Sequence, residues 1–271
     1  MNEGVFELEE KQYGLQEIAH NIYIIEESDV CIYVLIGTES AAVIDTGYGS
    51  FNLYEAVRKL TDKPLVTICT HGHPDHFLGA GCFDEVYLND RDIPVTELYG
   101  ARYRQEVKHH MQERFRMSDT QIEQWVRSKP PKTVSINPGM VFDLGGYSLE
   151  TVDLCGHTHG SIGLICKQAR ILFSGDGVIE RSWLHLPESA SIQRYYETIQ
   201  RLNCRESEFD QIYTGHKNAH KPVSFLKELT GLLELVLDEG KGTPINTGEE
   251  EGLLAGRTGC QIIFNPAKIT D

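Results

Sequence analysis

The chain has 271 residues, 40% of them hydrophobic, enough for one large domain with its own core. A net charge of −15 disfavours long polyanions, because nucleic-acid binding relies on neutralising phosphates with Lys and Arg. No apolar run is long enough to span a bilayer, Met1 to Glu10 is acidic and lacks a signal peptide's basic start and apolar core, and seven cysteines without a Cys-x-x-Cys pair argue against a disulfide framework, so a cytoplasmic location is expected.

Dense Ile, Val and Tyr over 21–26, 30–36 and 41–44, separated by turn residues, predict three strands. Ser50 is expected to cap a helix reaching about Leu60. The run 64–69 reads as a further strand, and it empties into Thr70-His71-Gly72-His73-Pro74-Asp75-His76. Pro74 removes a backbone donor and prevents a continuous helix through this cluster, so His71 and His73 should project to one side of an extended turn. Three histidines and an aspartate within six positions, directly after an apolar strand, point to metal binding.

Residues 85–88 predict another strand. From about 91 to 127 the pattern turns helical, until Lys129-Pro130-Pro131 stops it, which defines a helical insert at about 91–131 in a single domain spanning 1–271. Arg102, Arg104, Lys108, Arg114 and Arg116 cluster there, but Glu106 and Glu113 interleave with them, the pattern of a solvated helix face. Strands are then expected at 133–136, 139–143 and 148–154, a hairpin over 162–173, a helix over 191–202, a strand at 211–213, a helix over 223–237 and a last strand at 260–264. The Gly- and Glu-rich stretch 240–259 reads equally as a lid, a dimer contact or a linker.

Three further strands run into candidate ligands beside glycines that permit sharp turns: Gly156-His157-Thr158-His159-Gly160, Ser174-Gly175-Asp176-Gly177 and Tyr213-Thr214-Gly215-His216. Cys69 and Cys155 lie nearby within strands and read as small core residues. The hairpin ending at Asp45 parallels the one ending at Asp176. Two related halves, each a sheet with outer helices, imply four layers.

Asp45, the His71-His73-Asp75-His76 cluster, His157, Asp176 and His216, in this order, resemble the metallo-β-lactamase-fold hydrolase superfamily over about residues 16–220. The resemblance implies an α/β fold: a four-layer αββα sandwich of two mixed sheets with helices on the outer faces. It implies one metal on His71, His73 and His157, a second on Asp75, His76 and His216, Asp176 bridging both, and Asp45 beneath the site orienting a ligand. Two divalent ions are thus expected, zinc first, with iron or manganese also suited to an all nitrogen-and-oxygen set.

Such a pair lowers the pKa of a bound water from about 16 towards roughly 7, making a metal-held hydroxide the nucleophile. Asp75 would carry its proton to the leaving group, so Asp75 and Asp176 are the catalytic carboxylates. No Gly-x-Ser-x-Gly elbow offers a serine instead. Within the family, an aspartate at position 176 resembles glyoxalase II-like thioesterases, lactonases and phosphodiesterases rather than lactam-hydrolysing enzymes. The expected reaction is attack on the acyl carbonyl of a small-molecule thioester, ester or lactone. The alternatives are a metal-dependent phosphodiesterase and an oxidoreductase resembling the persulfide dioxygenases, with a single iron.

His159 stands where the family often has proline, and 177–183 departs from the glutathione-thioesterase pattern. His159, Trp183 and Tyr103 are candidate substrate-lining residues, with His185, Lys217, His109, His110 and Trp125 behind them. Adjacent His109 and His110 fit a solvated helix face, and aromatic residues of the insert fit packing. The expected partner is a small molecule; a homodimer is one option for the oligomeric state.

Overall fold

The computed structural model describes residues 13–217, 220–248 and 251–271. The acidic segment 1–10 lies outside the described residues. The described residues divide into two compact units, one formed by those of 13–136 and 143–147, the other by those of 137–142 and 148–271.

The first unit is built on a seven-stranded sheet: β1 (Gly14–Ala19), β2 (Ile22–Glu27), β3 (Val30–Ile36), β4 (Ala41–Ile44), β5 (Leu65–Ile68), β6 (Glu85–Leu88) and β7 (Lys132–Ser135), side by side in chain order. The first four pair antiparallel, and β4 to β7 pair parallel. Every residue of β3 and β4 is buried, which explains why these strands read as continuous apolar runs rather than alternating ones. Helix α1 (Leu53–Arg58) packs Leu53 and Val57 against Ile32, Val34 and Val43. Its cap is Asn52, whose side chain accepts from Glu55 N, and not Ser50, whose hydroxyl is turned to the buried Glu27 carboxylate that its N–H also reaches at 2.6 Å. After β5 come α2 (Pro74–Phe77) and a 3₁₀ turn, Leu78–Cys82.

The insert is three helices, α3 (Ile93–Leu98), α4 (Ala101–Phe115) and α5 (Asp119–Arg127). Arg116 in the left-handed conformation ends α4, and a Ser118–Gln121 capping box starts α5. Met111, Met117, Ile122 and Trp125 bury together with Leu78. One residue departs from the solvated-face reading. Arg104 is 4% exposed, lies over the Trp125 ring, and donates to Trp125 O (3.0 Å), Leu78 O (3.2 Å) and Ser128 Oγ. Burial pulls its guanidinium down to about 10. An arginine on a charged helix became a structural rivet because three acceptors converge where the helix packs.

The second unit holds two sheets. In the first, strands run in the order β14 (His220–Pro222), β13 (Gln211–Thr214), β11 (Ile171–Gly175), β10 (Ile162–Cys166), β9 (Ser148–Asp153) and β8 (Val141–Asp143). The antiparallel β9–β10–β11 run followed by parallel β13 repeats the β2–β3–β4–β5 pattern of the first unit. Helices α6 (Ile192–Asn203), capped by Ser191, and α7 (Phe225–Glu239) bury Tyr195, Ile199, Leu226, Leu229 and Leu233 in one core.

The other sheet is four-stranded, ordered β12 (Arg181–Leu184), β17 (Cys260–Phe264), β16 (Glu251–Arg257) and β15 (Thr243–Asn246). The stretch 240–259, apart from 249 and 250, is thus largely paired strand, and Pro244 lies on the edge strand where its missing N–H is tolerated. No helix among the described residues is long and apolar enough to cross a membrane.

Candidate metal centre

In the first unit, the end of β5 delivers the His71–His76 loop. Pro74 occupies the first turn of α2, where a missing N–H costs nothing, and His73 is the residue before it in extended conformation. Gly72 cannot be replaced cheaply: a Cβ there would sit 2.7 Å from the Asp92 carbonyl oxygen. Its N–H donates to Asp92 Oδ2 at 2.8 Å, and Asp92 is fully buried. The rings converge, His71 lying 4.9 Å from His73 and 4.2 Å from His76 between centroids. A donor atom of His71 lies within 4.8 Å of one on each of these neighbours, and all three residues are at most 6% exposed.

Asp45 organises this cluster. It is 1% exposed and adopts φ 61°, a left-handed conformation that aspartate tolerates better than most residues. Oδ1 accepts from Thr70 N at 2.7 Å, while Oδ2 accepts from Thr70 Oγ1 and His76 Nδ1, both at 2.9 Å. Because the Thr70 hydroxyl donates to Asp45, it acts as acceptor towards His71 Nδ1, 3.1 Å away. The network therefore assigns Nδ1–H to both His71 and His76 and leaves each Nε2 with a lone pair. Thr46 holds the His76 carbonyl with its N–H and hydroxyl, at 2.9 and 2.8 Å. Asp75 Oδ2 lies 3.5 Å from His76 Nε2. Cys69 is fully buried, and burial pushes its thiol far up, so it stays a protonated core residue.

In the second unit, His157 follows β9, Asp176 follows β11 and His216 follows β13. His157 Nδ1 donates to Trp183 O at 2.9 Å, again leaving Nε2 with the lone pair. Asp176 Oδ2 stands 3.7 Å from His157 Nε2 and 3.2 Å from His216 Nε2. Glycines make room for this: a Cβ on Gly156 would enter the Tyr195 ring at 2.1 Å, and Gly175 takes φ 50° just before Asp176. The buried Tyr195 hydroxyl donates to Gly177 O at 2.7 Å, bracing the Asp176 turn.

The donor set suits a divalent ion. His71, His76 and His157 each hydrogen-bond through Nδ1 and keep the lone pair on Nε2, the arrangement that metal-binding histidines adopt. Two ligands about 2.0–2.1 Å from one tetrahedral ion are about 3.3 Å apart, close to the carboxylate–imidazole separations at Asp176 and at Asp75.

The candidate substrate contacts separate clearly. Tyr103 packs edge-on to Tyr99 at 5.0 Å, and Tyr99 packs edge-on to the His73 ring at 5.8 Å, so the insert brings an aromatic pair beside the cluster. Trp125 is instead buried, with Nε1 donating to Tyr48 O at 2.7 Å. His109, His110, His159 and Lys217 are exposed. Trp183 contributes through its backbone carbonyl, and His185 is buried, with Nε2 3.1 Å from Thr247 Oγ1. Asp92 and Tyr99 escaped the sequence reading. The acidic run Asn89-Asp90-Arg91-Asp92 was the only signal for the first, and Tyr99 adjoins the Tyr103 that was singled out.

Residues 25–216 match the model of the metallo-beta-lactamase superfamily, and the chain belongs to that superfamily. The acyl-coenzyme A thioesterase MBLAC2 of Homo sapiens is 28% identical over 234 residues, covering 74% of this chain and 73% of the relative. The hydroxyacylglutathione hydrolase GloC of Haemophilus influenzae is 26% identical over 153 residues, covering 54% of this chain and 65% of the relative. A metallo-beta-lactamase from Pontibacter korlensis superposes with a TM-score of 0.61 at 19% identity, covering 82% of this chain and 99% of that one. That likeness establishes the mixed α/β metallo-beta-lactamase fold. The relatives are hydrolases, and the superfamily implies metal ions.

Proposed function

We propose that this protein is a dinuclear metal-dependent hydrolase of small-molecule acyl bonds, with thioesters, including coenzyme A esters, as its first substrate class. In this reading His71, His73 and His157 hold one divalent ion, Asp75, His76 and His216 hold the other, and Asp176 is shared. Zinc is the proposed metal. The observation that carries the proposal is the Asp176 carboxylate standing between the His157 and His216 imidazoles, since a carboxylate shared by two ligand sets is what a paired centre needs. The similarity to an acyl-coenzyme A thioesterase along nearly three quarters of both chains supports the substrate class.

Divalent ions bound there supply an acidified water and an electrophile for the acyl oxygen. The chain's own residues do the remaining work. Asp45, Thr70 and the Trp183 carbonyl hold three imidazoles in the Nδ1–H tautomer, with the lone pair on Nε2, before substrate arrives. The Asp75 carboxylate, with its side chain 17% exposed, accepts a proton from the attacking water and returns it to the departing thiolate. Burial and then the Asp75 charge push the Tyr48 hydroxyl well up, so Tyr48 stays neutral.

The test compares matched chromogenic acyl thioesters and phosphodiesters on zinc-reconstituted protein, with His73→Ala as blank. Faster metal-dependent thioester cleavage is the expected result. Preferential phosphodiester cleavage would overturn the substrate class, and activity indifferent to chelators would overturn the metal centre.

A further inference from the structure

The segment after β17 folds back onto the turn that follows β12. There the Lys268 ammonium donates to three backbone carbonyls, Leu186 O at 3.1 Å, Pro187 O at 2.7 Å and Ser189 O at 3.0 Å. These contacts use all three of its hydrogens. Three carbonyl dipoles aimed at one point repel one another, so this turn needs a cation with several donors at its centre.

The same turn carries the groups that hold His157. Trp183 O accepts from His157 Nδ1 at 2.9 Å, and Ser189 Oγ donates to the His157 carbonyl at 2.9 Å. Ala190 N donates to Gly156 O at 2.9 Å, tying the turn to the residue before the histidine. Both the ring and the backbone of His157 are therefore set by the 183–190 segment. That segment is gathered by Lys268 at the Leu186–Ser189 carbonyls and by the contact between His185 Nε2 and Thr247 Oγ1.

We infer that Lys268 is a positioning residue for His157, holding the 186–189 turn in the shape that aims Trp183 O and Ser189 Oγ at it. This rests on the proposed reading only in taking His157 as a metal ligand. The consequence is that a lysine far along the chain sets the tautomer and direction of one imidazole without touching it, and that the carbonyl cage should accept another ammonium in its place.

The test uses the full chain with Lys268→Ala. The His157 Nδ1–H resonance is followed by nitrogen-15 NMR without added metal, assigned by its loss in His157→Gln. Zinc affinity is measured in parallel by chelator competition. The expected result is a weakened, faster-exchanging Nδ1–H signal and zinc affinity lower by about tenfold, the scale typical of outer partners of a ligand. Methylammonium should restore both, and tetramethylammonium at equal ionic strength, lacking N–H donors, should restore neither. A signal and affinity equal to wild type would overturn the inference, as would losses that methylammonium leaves unrepaired or a wild-type protein lacking the signal. Should the alanine variant fail to fold, Lys268→Met keeps the apolar stem and is expected to lose the signal; an unchanged signal there overturns the inference equally. A wild type that shows the Nδ1–H signal yet binds no zinc would sink the hydrolase reading alone, because the NMR arm still decides on Lys268.

Discussion

Asp45 Oδ2 lies 2.9 Å from both His76 Nδ1 and the Thr70 hydroxyl, and that hydroxyl lies 3.1 Å from His71 Nδ1, so one buried carboxylate sets the tautomer of two histidines. In Asp45→Asn an amide must present either its oxygen or its NH₂ to each donor, and it cannot accept all three hydrogen bonds. The expected outcome is a loss of metal affinity of about 10–100-fold with the fold retained. Chelator competition measures the first and far-UV circular dichroism the second; full-strength zinc binding would show that Asp45 does not orient the cluster.

Asp176→Ala removes the carboxylate that faces both His157 and His216. Turnover should vanish rather than the Michaelis constant merely rise, since the proposed function puts the group at the reacting centre and not in substrate binding alone. Steady-state kinetics on a thioester separates the two. A variant with normal kcat would remove Asp176 from the assignment.

Trp183 makes its contact to His157 through backbone oxygen. Trp183→Phe is therefore expected to leave zinc affinity within about threefold of wild type, in contrast to loss of a side-chain partner. A larger drop would mean that the indole, which packs on the His185 ring at 5.3 Å, governs the turn instead.

Glu208 provides a pH-dependent part of stability. Hydrogen bonding from Arg205, assisted by Lys167, holds its carboxyl down at about 2, below the usual 4.5, against a smaller opposing effect of burial. Its folded-state pKa is depressed, so its contribution is fully present above pH 4.5 and is lost as pH falls through that window towards 2. With a side chain 26% exposed, solvent screening reduces the effect to about 1 kcal/mol. Denaturant titrations of wild type and Glu208→Gln should converge near pH 2 and separate by that amount above pH 5; parallel curves at all pH values would contradict the assignment.

Several parts of the molecule were readable because their signals are local. The strands β2, β3 and β4 fall within a residue of the expected 21–26, 30–36 and 41–44, since a fully buried strand must be continuously apolar. Helix α6 begins within a residue of the expected 191, with Ser191 as its cap. Ser50 misled for an equally physical reason. A serine before a helical pattern is a competent cap, but the buried Glu27 carboxylate, 23 residues earlier, draws its hydroxyl as well as its N–H, and Asn52 caps α1 two residues later. Strands β15 and β16 were missed because the Gly- and Glu-rich stretch 240–259 carries little β-propensity of its own, and they are held by pairing, β15 with β16 and β16 with β17.

By itself, the sequence determined which chemical groups are available and where they cluster along the chain: His71, His73, Asp75 and His76 on one loop, with Asp45, His157, Asp176 and His216 each just past a strand. Proline, glycine and apolar periodicity act over a few residues, so composition alone carries them. Only the tertiary structure decided how those groups are held. The Trp183 carbonyl on His157, the Asp92 carboxylate on Gly72 and the Lys268 ammonium on three carbonyls are contacts across 20 to 82 residues of chain. Many of the groups involved are backbone atoms, which are the same in every residue and leave no trace in a sequence until folding brings them together.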